Sequence, residues 1–367
     1  MIKIDDEGLH KYKAEYLSKI EKVLINRILN TNIKSKYGGT LKDLLLNNIE
    51  KLLIGSMSDF DDLFNEILNL YSLSYDDYLM FDFLYGTRIS KKSNLKAHLA
   101  KSNSKNVKIL QKDIDLLLDM ASRRKYMEFN FTQYYCYFMD REDLKNIFDY
   151  EKLIGRNLLR NEILTKININ VCPYCGRQFI TSYSKENILK STAALDHFYP
   201  KSKYPFFALS LFNFIPACNT CNSLMKLSKD FYVNKHLYPY EEGFEKNAEF
   251  VIKGSKPITD YIRKDEDTSI VEDITIDIKM NTNDPEKVIK IKNNINTFML
   301  KEVYQIHGDV VKDLLYRMQV YRPKYIEEIS DLMELSKEAV ETLAFGKPNE
   351  KDILGKLKAD ILNQYKD

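Results

Sequence analysis

No stretch of this 367-residue chain reaches the roughly 18 uninterrupted apolar residues that a membrane-spanning helix needs. The most apolar segment, Tyr204 to Cys218, is shorter than that and carries Asn213. The first residues, MIKIDDEGLHKYK, set acids and lysines where a secretory signal would have its apolar stretch, which predicts a cytoplasmic protein without membrane association. There is no internal repeat, no low-complexity tract and no Walker-type phosphate loop, so any nucleotide dependence would have to come from a partner. Histidine and cysteine are scarce, at five each. That scarcity makes their positions informative.

Four of the five cysteines form two pairs of identical spacing, Cys172/Cys175 and Cys218/Cys221, leaving Cys136 alone. In a reducing compartment, paired Cys-x-x-Cys elements point to a bound metal rather than to disulfides. Four thiolates from two knuckles make a closed tetrahedral set, the donor set of structural zinc. The run between the knuckles, Gly176 to Ala217, is longer than a compact zinc ribbon requires and implies an insertion.

Length favours two or three packed units. Over the first ~165 residues, apolar side chains recur at three- and four-residue intervals in YLSKIEKVLINRIL, LFNEILNLYSL, VKILQKDIDLLLDMASRRKY and REDLKNIFDYEKLIGRNLL. This predicts a helical domain over 1–165, interrupted by the Gly-, Ser- and Asn-containing run that follows Tyr85. Prolines, aromatics and the cysteine pairs then mark a small metal-centred module over 166–240. Over 241–367, EFVIKGSKPI and SIVEDITIDIKM read as strands. NDPE opens a long helix from about Pro285, and two shorter helices follow near 324–335 and 350–365. The fold class expected is mainly α, with a small zinc-stabilised α+β module in the middle.

The net charge of +2 says little about partners, but its distribution is uneven. Between Asp82 and Asp113 there is no acid, while Lys91, Lys92, Lys96 and Lys101 stand among eight basic residues. Such a run suits a polyanion, and it equally suits a plain solvated loop.

The insertion contains Asp196-His197, in LDHFYPKSKYPFFALSLFNFIPACNTCN. An aspartate beside a histidine can divide two roles, the carboxylate holding a divalent cation and the uncoordinated imidazole taking a proton from water. Asn222 directly follows the last knuckle cysteine, so its amide oxygen is available as a second cation ligand. Asn213 is available to hydrogen-bond the turn that presents His197. Lys226 reads either as a phosphate contact or as an ordinary exposed lysine.

Order, spacing and residue types from Cys172 to Lys226 resemble the HNH, or His-Me finger (ββα-metal), nucleases whose zinc knuckles carry four cysteines. The resemblance covers about a fifth of the chain. It implies His197 as general base, Asn213 as the residue bracing the loop, and Asp196 and Asn222 as ligands of a catalytic Mg²⁺ or Mn²⁺. It also implies structural Zn²⁺ on the four cysteines. The third motif position is Asn rather than His, which favours Mg²⁺ or Mn²⁺ over softer metals. The surrounding sequence is similar to nuclease subunits of Septu-type and retron-linked anti-phage defence systems, which implies an ATPase partner and nucleic acid as substrate, DNA ahead of RNA. Two other classes stay open: a non-catalytic zinc-ribbon platform for nucleic acid, and a helical adaptor whose 25 tyrosines line a protein interface instead of helix cores.

Overall fold

The computed structural model describes residues 1–79, 124–156, 158–254, 274–349 and 351–364. Lys91, Lys92, Lys96 and Lys101 lie outside the described residues. Among those described, the chain is mostly helical with three two-stranded antiparallel sheets. Among the described residues no helix is long and apolar enough to cross a membrane.

Contacts divide the chain into two compact units, where the sequence suggests three segments. The first contains residues 1–12, 154–200 and 214–367, so the cysteine module and the C-terminal segment share one body. The second contains 13–153 and 201–213. Segment 201–213, expected within the central module, therefore belongs with the helices. Apolar periodicity along the chain does not reveal which face a loop of aromatic residues will bury.

The second unit takes in most of α1 (Glu7–Asn30), then α2 (Gly38–Asn47), α3 (Ile49–Ile54), α4 (Met57–Leu70) and α5 (Arg124–Ile147). Helix α4 starts on a reciprocal cap: the Ser56 side chain accepts from the Asp59 amide, and Asp59 accepts from the Ser56 amide. Its apolar face carries Phe60 and Phe64, whose rings meet Phe207 at 4.6 Å and Tyr204 at 5.2 Å from the 201–213 segment. Tyr16 closes the same core, its hydroxyl donating to the Leu209 carbonyl. Asp140, fully buried, accepts from Ser35 and from the Tyr71 hydroxyl. Tyr12, Tyr16, Tyr71, Tyr78, Tyr134 and Tyr137 are buried in the two units, as expected of core tyrosines rather than an interface stripe.

In the first unit, α6 (Leu158–Ile167) leads into three hairpin strand pairs: β1 (Ser182–Lys185) with β2 (Ile188–Ser191), β3 (Ala194–His197) with β4 (Phe214–Ala217), and β5 (Ala248–Lys253) with β6 (Thr275–Met280). The last pair falls where alternation predicts it. Helix α7 (Pro285–Thr297) also begins as expected: Asp284 caps the Glu286 and Lys287 amides and Pro285 occupies the first turn.

The single long helix predicted beyond Pro285 is instead broken. Met299 takes a left-handed conformation (φ 47°), and the chain continues as α8 (Leu300–Tyr304), a 3₁₀ turn and α9 (Gly308–Val320). The break lets Tyr304 turn inward, its hydroxyl donating to the Cys175 carbonyl at 2.7 Å. Among the described residues three helices rather than two follow: α10 (Pro323–Met333), α11 (Lys337–Phe345) and α12 (Gly355–Gln364).

Candidate metal centre

Around the first knuckle, the Cys172 amide donates to the Gln178 carbonyl at 3.0 Å and the Ile180 amide to the Asn170 carbonyl at 2.9 Å, folding CPYCG into a tight hairpin. Gly176 completes it with φ +62°, a conformation that glycine adopts without strain, while its amide donates back to the Cys172 carbonyl at 2.8 Å. The second knuckle leaves β4 directly. Its Cys221 amide points at the Cys218 sulfur, 3.4 Å away.

The four Sγ atoms lie within 4.8 Å of one another, and all four residues are buried. Tetrahedral zinc–thiolate geometry, with bonds of about 2.3 Å, puts sulfurs roughly 3.8 Å apart, so the cluster is compact enough to close on such an ion. Burial and hydrogen bonds within the tetrad set the proton affinities of the thiols. Burial pushes Cys172 up, hydrogen bonding to Cys172 holds Cys175 and Cys218 down, and hydrogen bonding to Cys172 pushes Cys221 up. The residues present can thus hold a metal such as zinc. Among the described residues it is the one cluster of three or more Cys, His, Asp or Glu ligand groups that can do so.

The other half of the motif sits on the β3–β4 pair. Residues Asp196 and His197 face Ile215 and Phe214 across the strands. His197 is buried, and its ring meets the Phe214 ring edge-on at 5.2 Å. Asn222 follows on a π-type helical turn, Thr220–Lys226, half-buried, its amide donating to the Cys218 carbonyl at 3.0 Å. Asn213, fully buried at the end of the other unit's segment, donates its side-chain amide to the Phe207 carbonyl at 2.9 Å. That bond braces the turn within 201–213.

Two residues carry more than the sequence suggests. Lys226 is neither an exposed lysine nor free to meet a phosphate: its side chain is 1% exposed, and its ammonium donates to Asp196 Oδ1 at 3.0 Å and to the His197 carbonyl at 2.7 Å. The Phe231 ring lies 4.7 Å from the same nitrogen. Tyr174, between the cysteines of the first knuckle, donates its hydroxyl to Asp196 Oδ2 at 2.6 Å. A tyrosine in the middle of Cys-Pro-Tyr-Cys was visible in the sequence, but its partner 22 residues away was not.

Asp196 therefore differs from a waiting metal ligand. Its carboxylate is 4% exposed and each oxygen already accepts a hydrogen bond. Burial raises its proton affinity, opposed by the Lys226 charge and then by the Tyr174 and Lys226 hydrogen bonds. A Mg²⁺ ion requires oxygen ligands at about 2.1 Å and near-octahedral space. The ammonium stands where such an ion would draw on Oδ1, so Asp196 as arranged does not fit the cation.

Compared with family models, curated proteins and solved structures, the chain matches none.

Proposed function

We propose that this chain is an HNH-type endonuclease that hydrolyses phosphodiester bonds of nucleic acid, DNA ahead of RNA, with His197 accepting a proton from the attacking water. The observation that supports it is order along one stretch of chain. Strand β3 ends on His197, β4 returns antiparallel to it, a helical turn bearing Asn222 follows at once, and the cysteine cluster ties the base of that turn to the preceding knuckle. This is the strand–strand–helix succession on which the resembled nucleases build their centre. Zinc on the four cysteines would hold the turn rigid and leave the chemistry to other groups. The same resemblance extends the proposal to a role in anti-phage defence beside an ATPase.

The test uses purified, zinc-loaded protein with plasmid and single-stranded DNA and RNA, with and without added Mg²⁺ or Mn²⁺. His197→Ala should retain zinc and fold while cleavage falls by roughly 10²–10⁴-fold, the loss expected for a positioned general base. Cleavage at the wild-type rate by that variant removes the assignment. A second reading, a zinc-anchored binding platform without cleavage, is favoured by the closed Asp196 carboxylate. It predicts nucleic-acid binding and no divalent-dependent product.

A further inference from the structure

Lys226 ends the helical turn that begins two residues past Cys218, and three features aim its ammonium at Asp196. The turn is π-type, with the Leu227 amide reaching back to the Asn222 carbonyl at 3.0 Å, which advances Lys226 towards β3. Leu227 ends it in an unusual backbone conformation, φ 54° and ψ −129°, so the turn stops at the lysine. The His197 carbonyl and the Phe231 ring also border the ammonium. Together these groups fix one buried positive charge on one carboxylate oxygen, while Tyr174 occupies the other.

We infer that Lys226 is an internal cation that closes the Asp196 carboxylate to divalent metal, so that a metal ion gains Asp196 only where the ammonium has been withdrawn. In the resting protein the aspartate is a bracing residue. It links the first knuckle through Tyr174 to the turn of the second knuckle through Lys226. The same two hydrogen bonds that brace it remove its capacity to ligate. For a nuclease this confines Mg²⁺ at Asp196 to the state with the ammonium withdrawn, a consequence that rests on the function proposed above. The binding statement itself does not.

Mn²⁺ followed by electron paramagnetic resonance measures this without any cleavage. On zinc-loaded protein, wild type and Asp196→Asn should give superimposable Mn²⁺ titrations, since the carboxylate contributes nothing while Lys226 is in place. In Lys226→Met, whose apolar side chain keeps the stem's volume, an additional Mn²⁺ ion should bind and should vanish again in Lys226→Met/Asp196→Asn. The expected reading is one Mn²⁺ more per protein in Lys226→Met than in wild type or in the double variant. Wild-type protein that already binds an Mn²⁺ lost in Asp196→Asn overturns the inference. So does a folded, zinc-containing Lys226→Met protein that binds no more Mn²⁺ than wild type. If Lys226→Met does not fold, the wild-type and Asp196→Asn pair decides alone. A protein that shows this pattern and cleaves no nucleic acid loses the nuclease reading and keeps the closed carboxylate.

Discussion

The cysteine cluster and the Asp196–Lys226 pair both bury ionisable groups in the same unit, and they bring opposite charge balances. Four sulfurs converge within 4.8 Å, and a thiol tetrad brings no positive charge of its own, so ionising all four calls for a cation. At Asp196 the chain brings its own cation, at 3.0 Å, and a hydroxyl for the remaining oxygen. Donor types alone therefore do not mark a metal site. What separates the two is whether the fold has already neutralised the donors. A buried carboxylate with a buried ammonium is complete, whereas a buried thiol tetrad is not.

Removing the ion should expose the contrast most strongly. Structural zinc in small modules contributes on the order of 10 kcal/mol of folding energy. Cys218→Ser, or a strong chelator, should therefore unfold the cysteine-containing unit, with zinc lost by elemental analysis. Zinc-free protein with native circular dichroism and an unchanged melting temperature would make the tetrad an ordinary packing cluster.

Lys226→Met breaks the comparison from the other side, because it leaves Asp196 buried without its charge partner. Removing one member of a buried pair costs roughly 3–5 kcal/mol, and removing both restores much of that. Urea denaturation should show the single variant well below wild type and Lys226→Met/Asp196→Asn clearly above the single. A double variant no more stable than the single would show that packing by the lysine stem, not charge compensation, is what the pair supplies.

His236 tests the same local potential by proton. Its ring stacks on Phe231 at 3.9 Å, Nε2 faces the Thr297 hydroxyl at 3.0 Å, and Nδ1 is buried without a hydrogen-bond partner among the described residues. Burial, then the charges of Lys229 and Lys226, lower its pKa to about 3. The unfolded imidazole binds its proton near pH 6.5 and the folded one only near 3, so the unfolded state holds more protons between these values and stability falls as pH drops below 6.5. Between pH 7 and 5 the loss should be about 2 kcal/mol, and His236→Gln should abolish that part of the slope. Parallel pH profiles for the two proteins would place the acid sensitivity elsewhere.

The smallest effect is expected at Gly176. A Cβ there would sit 3.1 Å from the Tyr304 hydroxyl on a residue with φ +62°, so Gly176→Ala should cost about 1–2 kcal/mol. An unchanged melting temperature would mean that the knuckle turn relaxes freely.

Local chemistry was legible in the residues, and long-range commitment was not. The cysteine spacing announced the tetrad because each knuckle is a four-residue event, and Asp284-Pro285-Glu286 announced the start of α7 for the same reason. Apolar periodicity ran straight through Met299, since a single left-handed residue leaves the pattern of its neighbours intact. Apolar spacing does not reveal helix α11, although Ser336 caps it by accepting from the Ala339 amide; it is short and half exposed, with Leu343 facing solvent. The direction of Lys226 depends on a carboxylate thirty positions earlier in the chain. No spacing rule carries that information.

The first unit also draws on residues 1–12, and this sets an order of events in synthesis. The Ile2 amide donates to the Pro173 carbonyl at 2.8 Å, the Ile4 amide to the Pro239 carbonyl at 2.7 Å, and the Phe244 amide to the Met1 carbonyl at 3.1 Å. A ribosome adding about 5–20 residues per second makes Ile2 on the order of ten to thirty seconds before Pro173 and longer before Pro239. Residues 13–153 are made before Pro173, whereas the 201–213 segment that packs on Phe60 and Phe64 follows it. The thiol tetrad cannot assemble until Cys221 has left the exit tunnel. Closure of the tetrad is consequently a late step, and residues 1–12 must wait for the body they complete.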